Sequence, residues 1–211
     1  MSEKPAESLK QESGTNEQDV VATGSSTLQP AAARLVSELQ TKHPLQNTWD
    51  LWYYKNVSSV FEENLFNITS VDTVEDFWGL FNHIEFASKL NVNCAYYFFK
   101  KGIRPMWEDP INKSGGRWLI NMKKTYDSTD KYWLELLLCL IGEGFDDFND
   151  YVCGAFVVIK KSQDRIGIWT KEASNRDANM HIGNVIKKRT NYNGGINFEA
   201  HDSSKTNFYQ V

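Results

Sequence analysis

Runs rich in aromatic and β-branched residues recur at positions 48–54, 95–99, 117–122, 152–160, 165–170 and 196–201, several of them separated by short Gly, Asn, Ser or Asp turns, and they predict strands. Three stretches break that pattern and predict helices over 73–84, 130–141 and 176–190. Asp72, followed three residues later by Glu75, fits a helix start with the Asp side chain as cap, and Asn175 fits the same role for the third helix. Strands joined by short turns pair antiparallel, and scattered helices among them predict an α+β fold. The helices should back one face of the sheet and leave the other free for a ligand. No internal repeat is visible.

Two segments carry more than this outline. The 130–141 helix is apolar nearly all round, through Tyr132, Trp133, Leu134, Leu136, Leu137, Leu138, Leu140 and Ile141, with Glu135 the main interruption. A helix outside a small sheet buries only one stripe against it, so loops or a partner must cover the rest. The 73–84 helix places Val74, Phe77, Trp78 and Phe81 at helical spacing. In the 152–170 hairpin, Phe156, Val158 and Lys160 share one face, as do Arg165, Gly167 and Trp169, with Ser162, Gln163 and Asp164 as the turn. Two cations then flank the hairpin end, which reads equally as a pair of solvated charges or as an anion site.

Composition divides the chain. The first 42 residues contain no aromatic residue and are rich in Ser, Glu, Gln, Ala and Thr, so they cannot bury enough apolar area to offset chain entropy and are expected to be a disordered tail. Residues 31–40 have the composition of a short helix, marginal by itself in water. Residues 43–211 hold all seven Trp and suit one domain with one core. A net charge of −4 argues against gripping long nucleic acid through its phosphates, so any nucleic-acid contact should be local and chemically specific. Cys94, Cys139 and Cys153 are widely spaced in apolar contexts and suggest buried thiols rather than a disulfide framework or a metal site. No apolar run reaches the ~20 residues that span a bilayer, and the amino terminus lacks the apolar centre of a secretory signal. A soluble protein of the cytoplasm, with a nuclear pool as a secondary expectation, follows.

The chemistry concentrates at Arg104-Pro105-Met106-Trp107-Glu108-Asp109-Pro110, followed by Gly115-Gly116-Arg117-Trp118. An indole face attracts a cation or an electron-poor ring, and a carboxylate accepts two N–H donors from a ligand edge. Trp107 beside Glu108 therefore suits a guanine-like, positively charged ligand, although on these residues alone a Trp packed into the core is the commoner explanation.

His43-Pro44-Leu45, Trp49-Asp50-Leu51-Trp52, the segment from Asp72 to Trp78, the Trp107 segment, Leu137-Leu138-Cys139-Leu140-Ile141-Gly142-Glu143 and Ile168-Trp169-Thr170 occur together in one order. In that order the chain resembles the eukaryotic translation initiation factor 4E family, class I-like, which binds the 7-methylguanosine cap of messenger RNA; the resemblance covers residues 43 to about 201. It implies a curved antiparallel sheet backed by three helices on the convex face, with the cap on the concave face. It implies that Trp107 stacks on the methylated guanine, that Glu108 takes the N1 and N2 hydrogens, that Trp169 lies beside the methyl group, and that Arg117, Lys160 and Arg165 hold the phosphates. The opposite stacking position falls on Phe61, where the family usually has Trp. Lys160 stands where Arg is common and Arg165 where Lys is common, so both charges are kept. The resemblance also implies a convex partner surface at His43, Pro44, Val74, Trp78, Leu134, Glu135, Leu138 and Gly142, which takes an amphipathic helix from initiation factor 4G or from 4E-binding proteins. The stretch from His201 is shorter than the family's loop, and neither Ser203 nor Ser204 is assigned its regulatory phosphoserine.

Rival classes have less behind them. His43, His83, His181 and His201 sit in no metal spacing, and no nucleophile motif or Gly-rich phosphate loop is found, so no enzyme, cofactor or metal is expected. A reader of methylated lysine would also use rings and a carboxylate, but Lys160 and Arg165 would repel such a ligand and attract a triphosphate. Within the family, the alternative is a cap-binding repressor or a tissue-specific isoform with weakened cap or 4G binding, to which Phe61 lends weight.

Overall fold

A computed structural model describes Glu38 and residues 41–124, 128–202 and 208–211. The tail expected over 1–42 and the short helix over 31–40 lie outside the described residues except at Glu38, Thr41 and Lys42, and Ser203 and Ser204 lie outside them too. Residues Lys42–Val211 form one compact unit.

Eight strands make one antiparallel sheet: β1 (Pro44–Tyr54), β2 (Leu65–Thr73), β3 (Ala95–Lys100), β4 (Gly116–Lys123), β5 (Val152–Val158), β6 (Gln163–Thr170), β7 (Asn197–Ala200) and β8 (Phe208–Gln210). Their spatial order is β2-β1-β3-β5-β6-β4-β7-β8. The helices are α1 (Val74–His83), α2 (Ser128–Ile141) and α3 (Arg176–Thr190). The curved sheet and three helices match the expected α+β architecture.

The pleat sorts the side chains onto two faces. Trp49 and Leu51 of β1, Tyr96 and Phe98 of β3, Trp118 and Ile120 of β4, Ala155 and Val157 of β5, and Ile166 and Ile168 of β6 join Trp133, Leu136, Leu137 and Leu140 of α2 in the main core. The alternate positions Ala95, Tyr97, Phe99, Leu119, Phe156 and Trp169 form a second, smaller apolar cluster on the other face. Central strands buried on both faces read as unbroken apolar runs, which is why β3, β5 and β6 stand out in the sequence.

Helix α3 is capped by Asn175, whose side chain accepts from the Ala178 N–H, and Asn191 ends it in the left-handed conformation. It buries Ala178, Ile182 and Ile186, spaced by four, and lies so close to the sheet that a Cβ at Gly183 would collide with the Trp118 ring.

Three expectations change. The α1 cap is Thr73, not Asp72: the Thr73 hydroxyl accepts from the Asp76 N–H at 3.1 Å, one residue further along. The β5–β6 turn lies over 159–162, because Gln163 and Asp164 already pair in β6, and the buried Asp164 carboxylate accepts from Lys160 N–H (3.1 Å) and the Thr129 hydroxyl (3.1 Å). Strands β2 and β8 are additional. Along β2 only Leu65 and Val71 are buried, so this edge strand has too few apolar residues to show a period.

Candidate functional site

The order of the strands creates the site. β3 and β4 are separated in the sheet by β5 and β6, so the 101–115 loop that joins them must cross two strands at the sheet's end. That loop carries Trp107. Its fold is set by two side chains: fully buried Asn112 donates through Nδ2 to the carbonyls of Arg104 (2.8 Å) and Met106 (2.9 Å), and Asp109 accepts from the N–H groups of Arg104 (3.1 Å) and Ile111 (2.9 Å).

A second loop, between β1 and β2, carries Phe61. Its hub is Asn64, whose Oδ1 accepts from the N–H groups of Val57 (2.8 Å) and Ser58 (2.7 Å) while Nδ2 donates to the Ser58 carbonyl (2.7 Å). Phe61 stacks on Tyr54 with centroids 4.9 Å apart and planes 26° apart.

Two adjoining cavities lie on the face away from the helices. The larger, about 780 Å³, is bordered by both Phe61 and Trp107, together with Met106, Arg117, Trp169 and His201. The smaller, about 440 Å³, runs past Phe61, Arg117 and Trp169 to Lys160 and Arg165. Trp107 is 61% exposed and Phe61 40%, so both rings offer free surface. Trp169 is buried against Phe99 (5.5 Å, edge to face) and His201 (4.1 Å), with its Nε1 and the His201 Nε2 buried and without a hydrogen-bond partner among the described residues.

The structure therefore brings Phe61, Trp107, Trp169, Arg117, Lys160 and Arg165 to one connected space. Glu108 lines neither cavity; it is exposed beside Trp107 and has no side-chain partner among the described residues. Gly167 is fixed by the close approach of β4, since a Cβ there would collide with the Trp118 carbonyl oxygen.

Burial favours the neutral form of three titratable groups around the site. It pushes the Tyr97 phenol up to about 12, with the nearby Tyr54 adding to it, and the thiol of Cys153 in the smaller apolar cluster up to about 12. Burial, then the Arg117 guanidinium, hold the His201 imidazole down to about 4. Positive charge comes from Arg117, Lys160 and Arg165. Arg165 is exposed without a partner among the described residues, the Lys160 Nζ donates to Asn93 Oδ1 (3.2 Å), and the Arg117 Nη2 lies 3.3 Å from Glu199 Oε2. Cations on one side and rings on the other suit an anionic chain attached to a flat head group.

The sequence pattern missed Asn64, Asn112, Tyr97, Glu199 and the wall formed by His201. A polar residue buried in a loop has no period. Asn64, just before a strand, and Asn112, within a turn-rich run, carried only weak local signals.

On the helix side, Trp78 is 37% exposed and edge-on to Phe77 and Phe81, whereas Phe77 belongs to the core. Leu134 and Leu138 are half-buried against the core, so α2 is not wholly internal. His43 bonds Glu75 twice, through Nδ1 (2.6 Å) and its backbone N–H (2.8 Å), and its carbonyl accepts from Val74 N–H (2.9 Å). Those bonds, the first above all, hold the Glu75 carboxyl down to about 2. Pro44 and Gly142 are exposed and Glu135 half-buried.

Known proteins share this fold. The sequence profile of the family described as Eukaryotic initiation factor 4E matches residues 44–210. The chain is 55% identical over 151 residues to human eukaryotic translation initiation factor 4E, covering 70% of each. It is 49% identical over 172 residues to the factor of Aplysia californica, covering 79% of this chain and 80% of that one. Among solved structures, C. elegans eIF4E-3 in complex with the 4E-binding protein Mextli and a cap analog superposes with a TM-score of 0.75 at 44% identity, over 78% of this chain and 95% of that one. Ascaris suum eIF4E-3 with an m7G cap superposes with a TM-score of 0.78 at 41% identity, over 81% and 98%.

Proposed function

The chain belongs to the eukaryotic initiation factor 4E family, and from that premise we propose that it binds the 7-methylguanosine cap of messenger RNA in the two adjoining cavities and recruits initiation factor 4G, or is held by a 4E-binding protein, through its helix-covered face to control the start of translation. The observation that carries the reading is the convergence of rings from two separate loops, Phe61 and Trp107, on one cavity that continues to Arg117, Lys160 and Arg165.

Methylation at N7 gives guanine a positive charge, which strengthens its attraction to aromatic faces on either side. Glu108, exposed beside Trp107 and without a side-chain partner among the described residues, takes the N1 and N2 hydrogens in a charge-assisted pair, and Trp169 meets the methyl group. The triphosphate runs into the smaller cavity, where the three cations are spread over β4, β5–β6 and β6. On the other face, Val74, Trp78, Leu134, Glu135, Leu138, His43, Pro44 and Gly142 take the amphipathic helix of the partner. The protein acts as a binding module rather than an enzyme, in the cytoplasm with a nuclear pool. Likeness to proteins named as translation initiation factors disfavours the repressor alternative.

Titration with 7-methyl-GTP and with GTP, followed by tryptophan fluorescence, tests the pocket. Strong quenching by the methylated nucleotide at far lower concentration is expected, and equal affinity for the two overturns the reading. Trp78→Ala should abolish capture by a 4G peptide and leave retention on a cap resin intact; loss of both would make Trp78 a core residue.

A further inference from the structure

The two ring-bearing loops are joined by an ion pair. Nη2 of Arg104 lies 2.5 Å from Oε1 of Glu62, between residues 42 positions apart in the chain. Among the described residues, no other ion pair or side-chain hydrogen bond links the 55–64 loop to the 101–115 loop. Glu62 directly follows Phe61, and Arg104 stands three residues before Trp107.

Each end of the pair is anchored in its own loop. The Arg104 N–H donates to Asp109 and its carbonyl accepts from Asn112, so the backbone that launches the guanidinium is fixed on both sides. Glu62 opens the 3-10 turn Glu62–Asn64 that ends on the buried hub Asn64. The adjacent Glu63 is occupied within its loop, accepting from the Ser58 hydroxyl at 2.5 Å, while Glu62 reaches across.

We propose that the Arg104–Glu62 pair sets the separation of the two aromatic plates, making both side chains positioning residues for a stacked ligand. The inference rests on the cap-pocket reading above. An ion pair this exposed, with side chains 46% and 56% accessible, contributes little to the stability of the fold. Its effect falls on recognition instead: a loop already held at the stacking distance gives up less freedom when the ligand arrives. Salt weakens an exposed pair, so plate spacing becomes sensitive to ionic strength even where no phosphate is bound.

The test uses the full chain and two nucleotides with few phosphates, 7-methyl-GMP and GMP, in isothermal titration. Glu62→Arg and Arg104→Glu should each weaken 7-methyl-GMP binding by roughly three- to tenfold through like-charge repulsion across the gap, with the thermal midpoint unchanged. The double swap, Glu62→Arg with Arg104→Glu, restores the attraction and should return affinity to within about twofold of the starting protein. Single reversals without effect, or a double swap as weak as the two losses combined, overturn the proposal. Failure of the unaltered chain to prefer 7-methyl-GMP over GMP instead overturns the cap-pocket reading and is seen before any variant is made.

Discussion

The loops that carry Phe61 and Trp107 are each hung on a buried asparagine, but they spend their order differently. The Phe61 loop has one buried hub, Asn64, whose two side-chain atoms serve Val57, Ser58 and, more weakly, the Tyr54 hydroxyl, with the exposed Ser58 hydroxyl bonding Glu63 and Val60 beside it. The Trp107 loop has two hubs, Asn112 and Asp109, and it can leave the Asn112 Oδ1 buried without a partner. With the rings the contrast reverses: Phe61 rests on Tyr54, while Trp107 has no ring contact among the described residues. A stiff loop holds out a bare ring, and a more thinly supported loop holds a ring already braced from behind. Rigidity of a stacking plate can thus come from the backbone under it or from the ring behind it.

The sharpest way to probe this contrast is to remove the bare ring. Trp107→Ala should cost about 1–3 kcal/mol of 7-methyl-GTP binding, roughly 5- to 150-fold, in a fluorescence or calorimetric titration, with stability nearly unchanged. Next in size are the hubs. Asn64→Ala strips the buried hub of its loop and should lower stability by about 1–3 kcal/mol in chemical denaturation while weakening binding by about tenfold. Asn112→Ala should weaken binding less, since Asp109 still holds Arg104 and Ile111; equal losses from the two substitutions would end the contrast. A smaller gain is expected from Phe61→Trp: a wider plate should tighten 7-methyl-GTP binding by roughly two- to tenfold, and unchanged or weaker affinity would remove Phe61 from the stack.

The smallest effect on the contrast should come from pH, because His201 belongs to neither loop. Its imidazole is held from an ordinary 6.5 down to about 4, so below pH 6.5 the unfolded chain binds a proton that the native state refuses. That contribution to stability is complete above pH 6.5 and is lost as pH falls toward 4. His201→Gln should flatten this part of a stability profile measured by denaturation between pH 7 and 4, without altering the relative losses caused by Trp107→Ala and Asn64→Ala.

Much of this architecture is legible in the chain. Central strands β3, β5 and β6 announce themselves as apolar runs because both their faces are covered, and Asn175 marks the start of α3. The alternation in the hairpin puts Arg165 and Trp169 on one face with Lys160 at the hairpin end, leaving open whether the two cations are solvated or hold an anion, and the structure sets all three against the same cavity. What stays hidden is set by long-range contact. β2 lies at an edge with few buried positions, Thr73 beats Asp72 as cap by a shift of one residue, and Glu199 reaches Arg117 only because β7 pairs with β4. Asn64 and Asn112 bond to backbone several residues away, a geometry that no periodicity encodes.

The strand order also has a consequence for the making of the protein. Residues 61 and 107 are both synthesised well before β5 and β6, yet those two strands lie between the ends of the loop that holds Trp107. A nascent chain that has emerged only as far as α2 owns both plates and lacks the spacer that fixes the span between β3 and β4. The site is therefore complete only after residue 170 has joined the sheet, because a shorter product carries Phe61, Trp107 and Arg117 without Lys160, Arg165, Trp169 or the strands that set the span of the Trp107 loop.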